Sequence, residues 1–433
     1  MIFDILFGFL GLAVLLAIAF LFSNNKRNIN WRLVITGISL QLVFAVFVLM
    51  TPWGATVFNA LSSFFVTIIN FTFEGAKFVF GPLATQSDFG KAFPQPGMGF
   101  VFAFQVLPTI IFFSSLMSVL YHLGIMQVIV RAMAWVMAKA MDVSGAESLS
   151  VAANVFIGQT EAPLVVRPYV SSMTQSELLT LMIGGMATIA GGVLAAYVGI
   201  LGGDDPVMRV FYAKHLLSAS IMAAPATMVI AKILVPETEE SETRGQVKLE
   251  VERTAANTID AAATGAGDGL KLALNVGAML LAFIALIAMF DYILGGVGKI
   301  THLNSVIGQP LSMKLILGYL LSPLSWIIGV PWHDAVKVGG LIGEKIVVNE
   351  FVAYIDLGKM AHAALLSKKA EVISTYALCG FANFSSIAIQ IGGIGGIAPN
   401  RRADLARFGL KAVLGGSLAT FMTATIAGVL TSL

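Results

Sequence analysis

The chain has 433 residues and a formal net charge of +2, with 57% hydrophobic and 12% charged residues; its mean hydropathy is +0.87. Soluble domains carry about 25% charged residues, so this composition excludes an ordinary soluble globule and turns most of the surface toward lipid or apolar protein. The weak, unclustered positive charge excludes nucleic-acid binding, and the single cysteine, Cys379, excludes an internal disulfide.

A helix needs about 20 apolar residues to cross a bilayer core. Such runs occur, in chain order, at 3–22, 33–51, 100–122, 177–201, 208–235, 272–297, 371–396 and 404–432. They predict an all-α polytopic membrane protein with about eight spans. The first run is too long for a signal-peptide core and no small-residue cleavage site follows it, so it reads as a span. Three apolar stretches carry polar residues on one side: 55–82, with Asn59, Asn70 and Glu74; 125–142, with Arg131 and Lys139; and 311–328. These are expected to lie in the membrane interface.

The loops "NNKRNINWR" and "APNRRADLAR" hold Lys26, Arg27, Arg32, Arg401, Arg402 and Arg407. With eight spans and an outside N-terminus, both fall on the cytoplasmic side, as positive charge favours. The polar loop 236–255 falls there too, although Lys337, Lys345, Lys359, Lys368 and Lys369 fall on the other.

A repeat runs through the chain. Glu161 and Glu350 are each preceded by a span, an amphipathic segment and a broken apolar segment. Each is followed by a Gly-rich span, "MIGGMATIAGGVLAAYVG" or "ALCGFANFSSIAIQIGG", and then a full span. An odd number of crossings separates the units, so the second is inverted, as in secondary transporters whose sites lie at interrupted helices. The expected division is 1–122 for spans 1–3 with an interfacial helix and 123–235 for the first unit. A cytoplasmic loop and interfacial helix follow at 236–271, then the second unit at 272–433.

A carboxylate at the bilayer centre costs about 2.5–3.5 kcal/mol on insertion scales. The bland reading of Glu161 and Glu350 is solvation near a headgroup. Against it, Gly158, Gln159, Thr160 and Pro163 all loosen the helix around Glu161, and irregular backbone at membrane depth survives only where protein or a watery cavity satisfies it. A re-entrant hairpin meets both demands.

"GEKIVVNEFVAY", Gly343 to Tyr354, resembles the signature of the concentrative nucleoside transporters, and "GQTEAP" and "GFANFSS" resemble that family's two other binding segments, in order. The resemblance covers nearly the whole chain. It implies a homotrimer in the plasma membrane (the inner membrane of a Gram-negative cell), each protomer combining a scaffold with a mobile domain of two hairpins and two broken helices. It implies that Gln159, Thr160 and Glu161 face the nucleobase, that Val193 lines its pocket, and that Glu350 and Asn383 hold the ribose of a nucleoside such as uridine, with Ser386 nearby. It further implies that Phe381 packs on sugar or base. The alternatives are plain core packing for Phe381, a helix-packing amide for Asn383 and a back-bonded hydroxyl for Ser386.

For the coupling ion, the resemblance implies sodium held by the side chains of Asn154 and Thr188 and the carbonyls of Ile157 and Ile189. No other cofactor is implied. A proton-coupled carrier, a cation channel and a membrane enzyme are the rivals; no metal cluster or nucleophile–base pair supports the last. One sodium ion crossing 100 mV yields about 2.3 kcal/mol and a tenfold gradient about 1.4, enough for accumulation of a few hundredfold. His333, Asp334, Lys337 and Lys345 read as gate residues of the second hairpin or, preferably, its solvated mouth, and Arg167 and Glu177 as the frame of the first hairpin's exit. The paired glycines at 191–192, 392–393 and 395–396 read as close helix packing.

Overall fold

Without water to satisfy it, the backbone in a membrane must bond to itself, which favours helices. The computed structural model describes residues 2–92, 101–245 and 255–431, and these residues form no strand, only one isolated bridge between Ser144 and Arg244. Residues 246–254 of the expected polar loop, residue 100 of the third expected span and residue 432 of the last lie outside the described residues.

Three helices open the chain: α1 (Ile2–Leu21), α2 (Trp31–Met50) and α3 (Pro52–Phe80). Asn30 caps α2 through Leu33 N, and Thr51 caps α3 ahead of Pro52, which is suited to a first helical position. The short α4 (Gln86–Ala92) and α5 (Phe102–Gln105) lead to α6 (Leu107–His122) and α7 (Ile125–Met141). Next come α8 (Gly145–Asn154), a 3₁₀ turn Ala162–Val166 running into α9 (Arg167–Val170), α10 (Gln175–Ala187), α11 (Gly191–Gly202) and α12 (Pro206–Leu234). The second half holds α13 (Thr258–Ile300), α14 (Leu303–Ile307), α15 (Met313–Ile327), α16 (Trp332–Val347), α17 (Glu350–His362), α18 (Lys368–Ala377), α19 (Phe384–Ile397) and α20 (Arg402–Leu430).

The same series therefore occurs twice. A long helix (α6, α13) is followed by an apolar helix (α7, α15) and a hairpin (α8 with Ala162–Val170, α16 with α17). A helix broken in the middle (α10/α11, α18/α19) and an unbroken one (α12, α20) complete each series. Both α10 and α18 pack on α12 and α20 together, which makes the inner helices one body. In the most apolar stretch of α12, 89% of residues are buried, against 17% in α13. The inner helices are thus surrounded by protein, while α13 offers its apolar surface outward.

Eight helical stretches among the described residues are long and apolar enough to cross a membrane. Seven of them coincide with expected spans, and the eighth contains α3. The run 371–396 is not one continuous helix: α18 ends at Ala377 and α19 starts at Phe384, a break like the one between α10 and α11. Gly380 sits in the gap, where a Cβ would meet Met186 O at 2.6 Å. Apolar count alone cannot register such a break. The stretch 55–82, expected in the interface, falls in the 29-residue α3 and the 3₁₀ turn that follows it. Its buried positions Phe58, Ser62, Val66, Ile69, Thr72 and Ala76 form a single stripe, and Asn59 and Glu74 lie outside it. Nor do residues 258–271 form a separate interfacial helix, for they are the first third of the 43-residue α13. Small residues allow this: a Cβ on Gly265 or Gly269 would come within 2.6 and 2.7 Å of Ser118 and Ser114 Cβ, so α13 runs unbroken along α6.

Candidate functional site

The first hairpin begins with a capping box in which Ser144 and Glu147 each satisfy the other's backbone N–H. All ten residues of α8 are buried; at 1.5 Å per residue it is about 15 Å long, roughly half a bilayer core. After Asn154 the chain turns, with Phe156 N and Ile157 N both bonded to Ala153 O at 3.0 Å, and Glu161 N and Ala162 N bonded to Gly158 O. The turn is tied to the start of α11 by Gly191 N donating to Phe156 O at 3.0 Å. The C-terminal ends of α8 and α10 thus meet at one place, and helix C-termini carry partial negative charge.

Asn154 lies there, 1% exposed, its Nδ2 donating to Ser150 O at 3.0 Å. Its Oδ1 is buried with no hydrogen-bond partner among the described residues, a costly state for an amide oxygen. Thr188 caps the end of α10 in extended conformation, with its Oγ1 donating to Gly184 O at 2.8 Å. A Cβ on Gly184 would lie 3.5 Å from Asn154 Nδ2, so the amide sits against the last turn of α10. Ile157 and Ile189 occupy the non-helical chain at the two breaks.

A continuous polar chain crosses the interior beside it. Gln390 Nε2 donates to Met182 O at 2.9 Å and to Gln159 Oε1 at 3.2 Å; Gln159 Nε2 donates to Ser386 Oγ at 3.1 Å. The backbone carbonyl can only accept, so this order fixes which way both amides point. Gly185 makes room, for a Cβ there would meet Gln390 Nε2 at 2.8 Å and Gln159 Cβ at 2.9 Å. Asn383 caps α19 through Ser386 N at 2.9 Å and donates from Nδ2 to Glu350 Oε2 at 2.9 Å. Glu350 Oε1 accepts from Tyr197 Oη at 3.0 Å. Asn349 caps α17 through Val352 N, placing Glu350 in the first turn, where partial positive charge favours a carboxylate.

This arrangement can hold a neutral polar molecule on one side and a small hard cation on the other. Three family models match the chain: "Na+ dependent nucleoside transporter N-terminus" over residues 10–83, "Nucleoside recognition" over 103–204, and "Na+ dependent nucleoside transporter C-terminus" over 215–428. An uncharacterized transporter, YutK, of Bacillus subtilis is 48% identical over 98% of this chain and 99% of its own length. The chain belongs to the Na+-dependent nucleoside transporter family. It is 42% identical to the nucleoside permease NupC of Helicobacter pylori over 99% of this chain and 98% of that one. Among solved structures, CNTnw in an inward-facing substrate-bound state matches with a TM-score of 0.90 at 45% identity, over 99% of this chain and 98% of that one. Outward-facing CNTnw variants superpose equally well. The family transports nucleosides and is not a family of enzymes.

Of the residues singled out in the sequence, Gln159, Ser386, Asn383 and Glu350 are joined in one place. Thr160 packs against α19, its Cγ2 3.2 Å from where a Cβ on Gly393 would stand. Val193 is buried in the first turn of α11, and Phe381 is half-buried in the α18/α19 break. Glu161 is exposed and folds back over Gly158, outside the hydrogen-bonded chain. Two members of that chain were not anticipated, Tyr197 and Gln390. Gln390 carried a signal: it stands four residues after Ser386, hence on the same helix face. Tyr197 carried only its isolation in an apolar run.

Other expectations change. Lys345 is no mouth residue: fully buried, it donates from Nζ to Ala377 O at 2.8 Å and Thr420 Oγ1 at 3.1 Å. Asp334 is also buried and accepts from Ser367 N at 3.0 Å, while His333 and Lys337 are exposed beside it. Glu177 is buried in the capping box that starts α10 and does not frame an exit. Gly192 and Gly393 lie in close contacts, but Gly392 and Gly396 meet nothing within 4 Å among the described residues. The polar segment after α12 is not free either. Lys232 Nζ is 2.7 Å from Glu147, 3.2 Å from Glu237 and 3.0 Å from Ser176 Oγ, while Thr243 O and Oγ1 accept from Gly145 N and Ala146 N. That segment fastens the base of the first hairpin to α10 and α12.

Proposed function

We propose that this protein imports nucleosides, uridine among them, by sodium symport across the plasma membrane. The observation that carries the reading is the interior polar chain Gln390–Gln159–Ser386 with Asn383–Glu350–Tyr197, set where two hairpins meet two helix breaks. Glu350 has one internal donor on each oxygen and keeps acceptor capacity for ribose hydroxyls. Ser386, accepting from Gln159, keeps its own proton to give, and Asn383 keeps one N–H. Gln159 offers its remaining N–H and lone pair to a base edge, with Thr160, Val193 and Phe381 flanking it and Glu161 reaching it through water.

Sodium is assigned to the meeting of α8 and α10, with Asn154 Oδ1, Thr188 Oγ1 and the carbonyls of Ile157 and Ile189 as ligands. The unpartnered Asn154 oxygen supports this assignment, as do two helix C-termini aimed at one point. Ion binding there orders the hairpin turn that carries Gln159, which is how one site favours the other. Transport then proceeds by alternating access of the two-hairpin body, an inverted pair of units, within a homotrimer.

A thermal-stability measurement in detergent tests the reading, because a ligand of the folded state raises apparent stability. Uridine should raise the midpoint in sodium buffer and have little effect in choline buffer. No shift with any of uridine, cytidine, adenosine, guanosine or inosine would overturn it. The panel also ranks the substrates.

A further inference from the structure

Each hairpin tip is bonded to the broken helix of the other unit. Gln159, on the first hairpin, reaches Ser386 on α19; Glu350, on the second, receives Tyr197 from α11. The second contact involves a residue that need not meet the substrate. Tyr197 is fully buried, its ring stacked on Tyr354 with centroids 4.2 Å apart and edge-on to Phe351 at 4.8 Å. The packing therefore decides where the Tyr197 hydroxyl stands.

The terminal torsion of a glutamate is broad. A carboxylate held through one oxygen by Asn383 alone could still swivel. The phenol holds the second oxygen, and two tethers define the carboxylate plane and the direction of its free lone pairs. We propose that Tyr197 is a positioning residue that aims Glu350 at the ribose hydroxyls, and so sets the preference for ribosides over deoxyribosides. The proposal rests on Glu350 holding the sugar. Its chemistry is that of a site whose polar groups are fixed for a hydroxyl and are left unpaired by an analogue without one.

The test is binding of uridine, 2′-deoxyuridine and 3′-deoxyuridine to the full-length protein at saturating sodium. The proteins compared are wild type, Tyr197→Phe, Glu350→Gln, the double variant and Tyr354→Phe. Tyr197→Phe should weaken uridine binding about three- to tenfold and shrink the uridine-to-deoxyuridine ratio by a similar factor. In the Glu350→Gln background it should add less than about twofold, the non-additivity of residues acting through one another. Tyr354→Phe, which removes a hydroxyl from the same stack, should keep the wild-type ratio.

Additive losses in the double variant, an unchanged ratio in Tyr197→Phe, or an equal loss of ratio in Tyr354→Phe would each overturn the proposal. Failure of Tyr197→Phe to fold would do so too, since the hydroxyl would then serve the fold. A wild-type protein that binds uridine and both deoxyuridines equally would remove Glu350 from the sugar, a failure of the underlying reading seen before any variant is made.

Discussion

Gln159 and Ser386, 227 positions apart in sequence, share a 3.1 Å hydrogen bond in the protein interior. The bond joins the tip of the first hairpin to the helix that follows the second break. It extends on one side to Met182 O through Gln390, and Ser386 stands on the other side in the helix turn capped by Asn383, the donor to Glu350. The two halves of the proposed substrate site are therefore joined by the protein's own hydrogen bonds. A nucleoside entering between them meets donors and acceptors whose directions are already set, which lowers the ordering cost of binding.

Glu350→Gln preserves shape and replaces a charged acceptor with a neutral amide. Hydrogen bonds to charged groups contribute about 1.5–3 kcal/mol, so uridine affinity should fall roughly ten- to a hundredfold by calorimetric titration. Wild-type affinity in this variant would take Glu350 out of the site.

Asn154→Ala removes the buried oxygen that has no partner among the described residues. The sodium concentration for half-maximal uptake should rise about tenfold or more, equivalent to about 1.4 kcal/mol. The uridine constant at saturating sodium should move less than about threefold. An unchanged sodium dependence would place the ion elsewhere.

How much of this was legible in the sequence depends on where a residue's partner lies. Gly158 and Pro163 announced a broken segment around Glu161. That is a local signal, and it appears in the structure as the turn after α8. The gap between α18 and α19 was hidden by its apolar flanks, because Gly380 is demanded by Met186, which is distant in sequence. Tyr197, Lys345 and Lys232 were misread or passed over for the same reason. Their partners lie 153, 75 and 85 positions away in Glu350, Thr420 and Glu147, and burial turns a charge expected at a watery mouth into an interior fastening.

Lys232 gives that last point a test. Breaking a buried ion pair by removing one partner costs about 3–5 kcal/mol, because the other charge is left uncompensated. Lys232→Met should therefore lower the melting midpoint in detergent sharply, and Glu147→Gln added to it should recover much of the loss. A single variant as stable as wild type would show that the pair does not fasten the first hairpin.

The central claim is sodium-driven nucleoside import, and proteoliposomes holding the purified protein test it most directly. With sodium outside, potassium inside and valinomycin to set a negative interior, labelled uridine should accumulate well above its external concentration. Replacing sodium by choline should abolish accumulation, and an uncoupler should leave the sodium-driven uptake intact. Undiminished uptake in sodium-free buffer that collapses with the uncoupler would contradict the account and assign the coupling to protons.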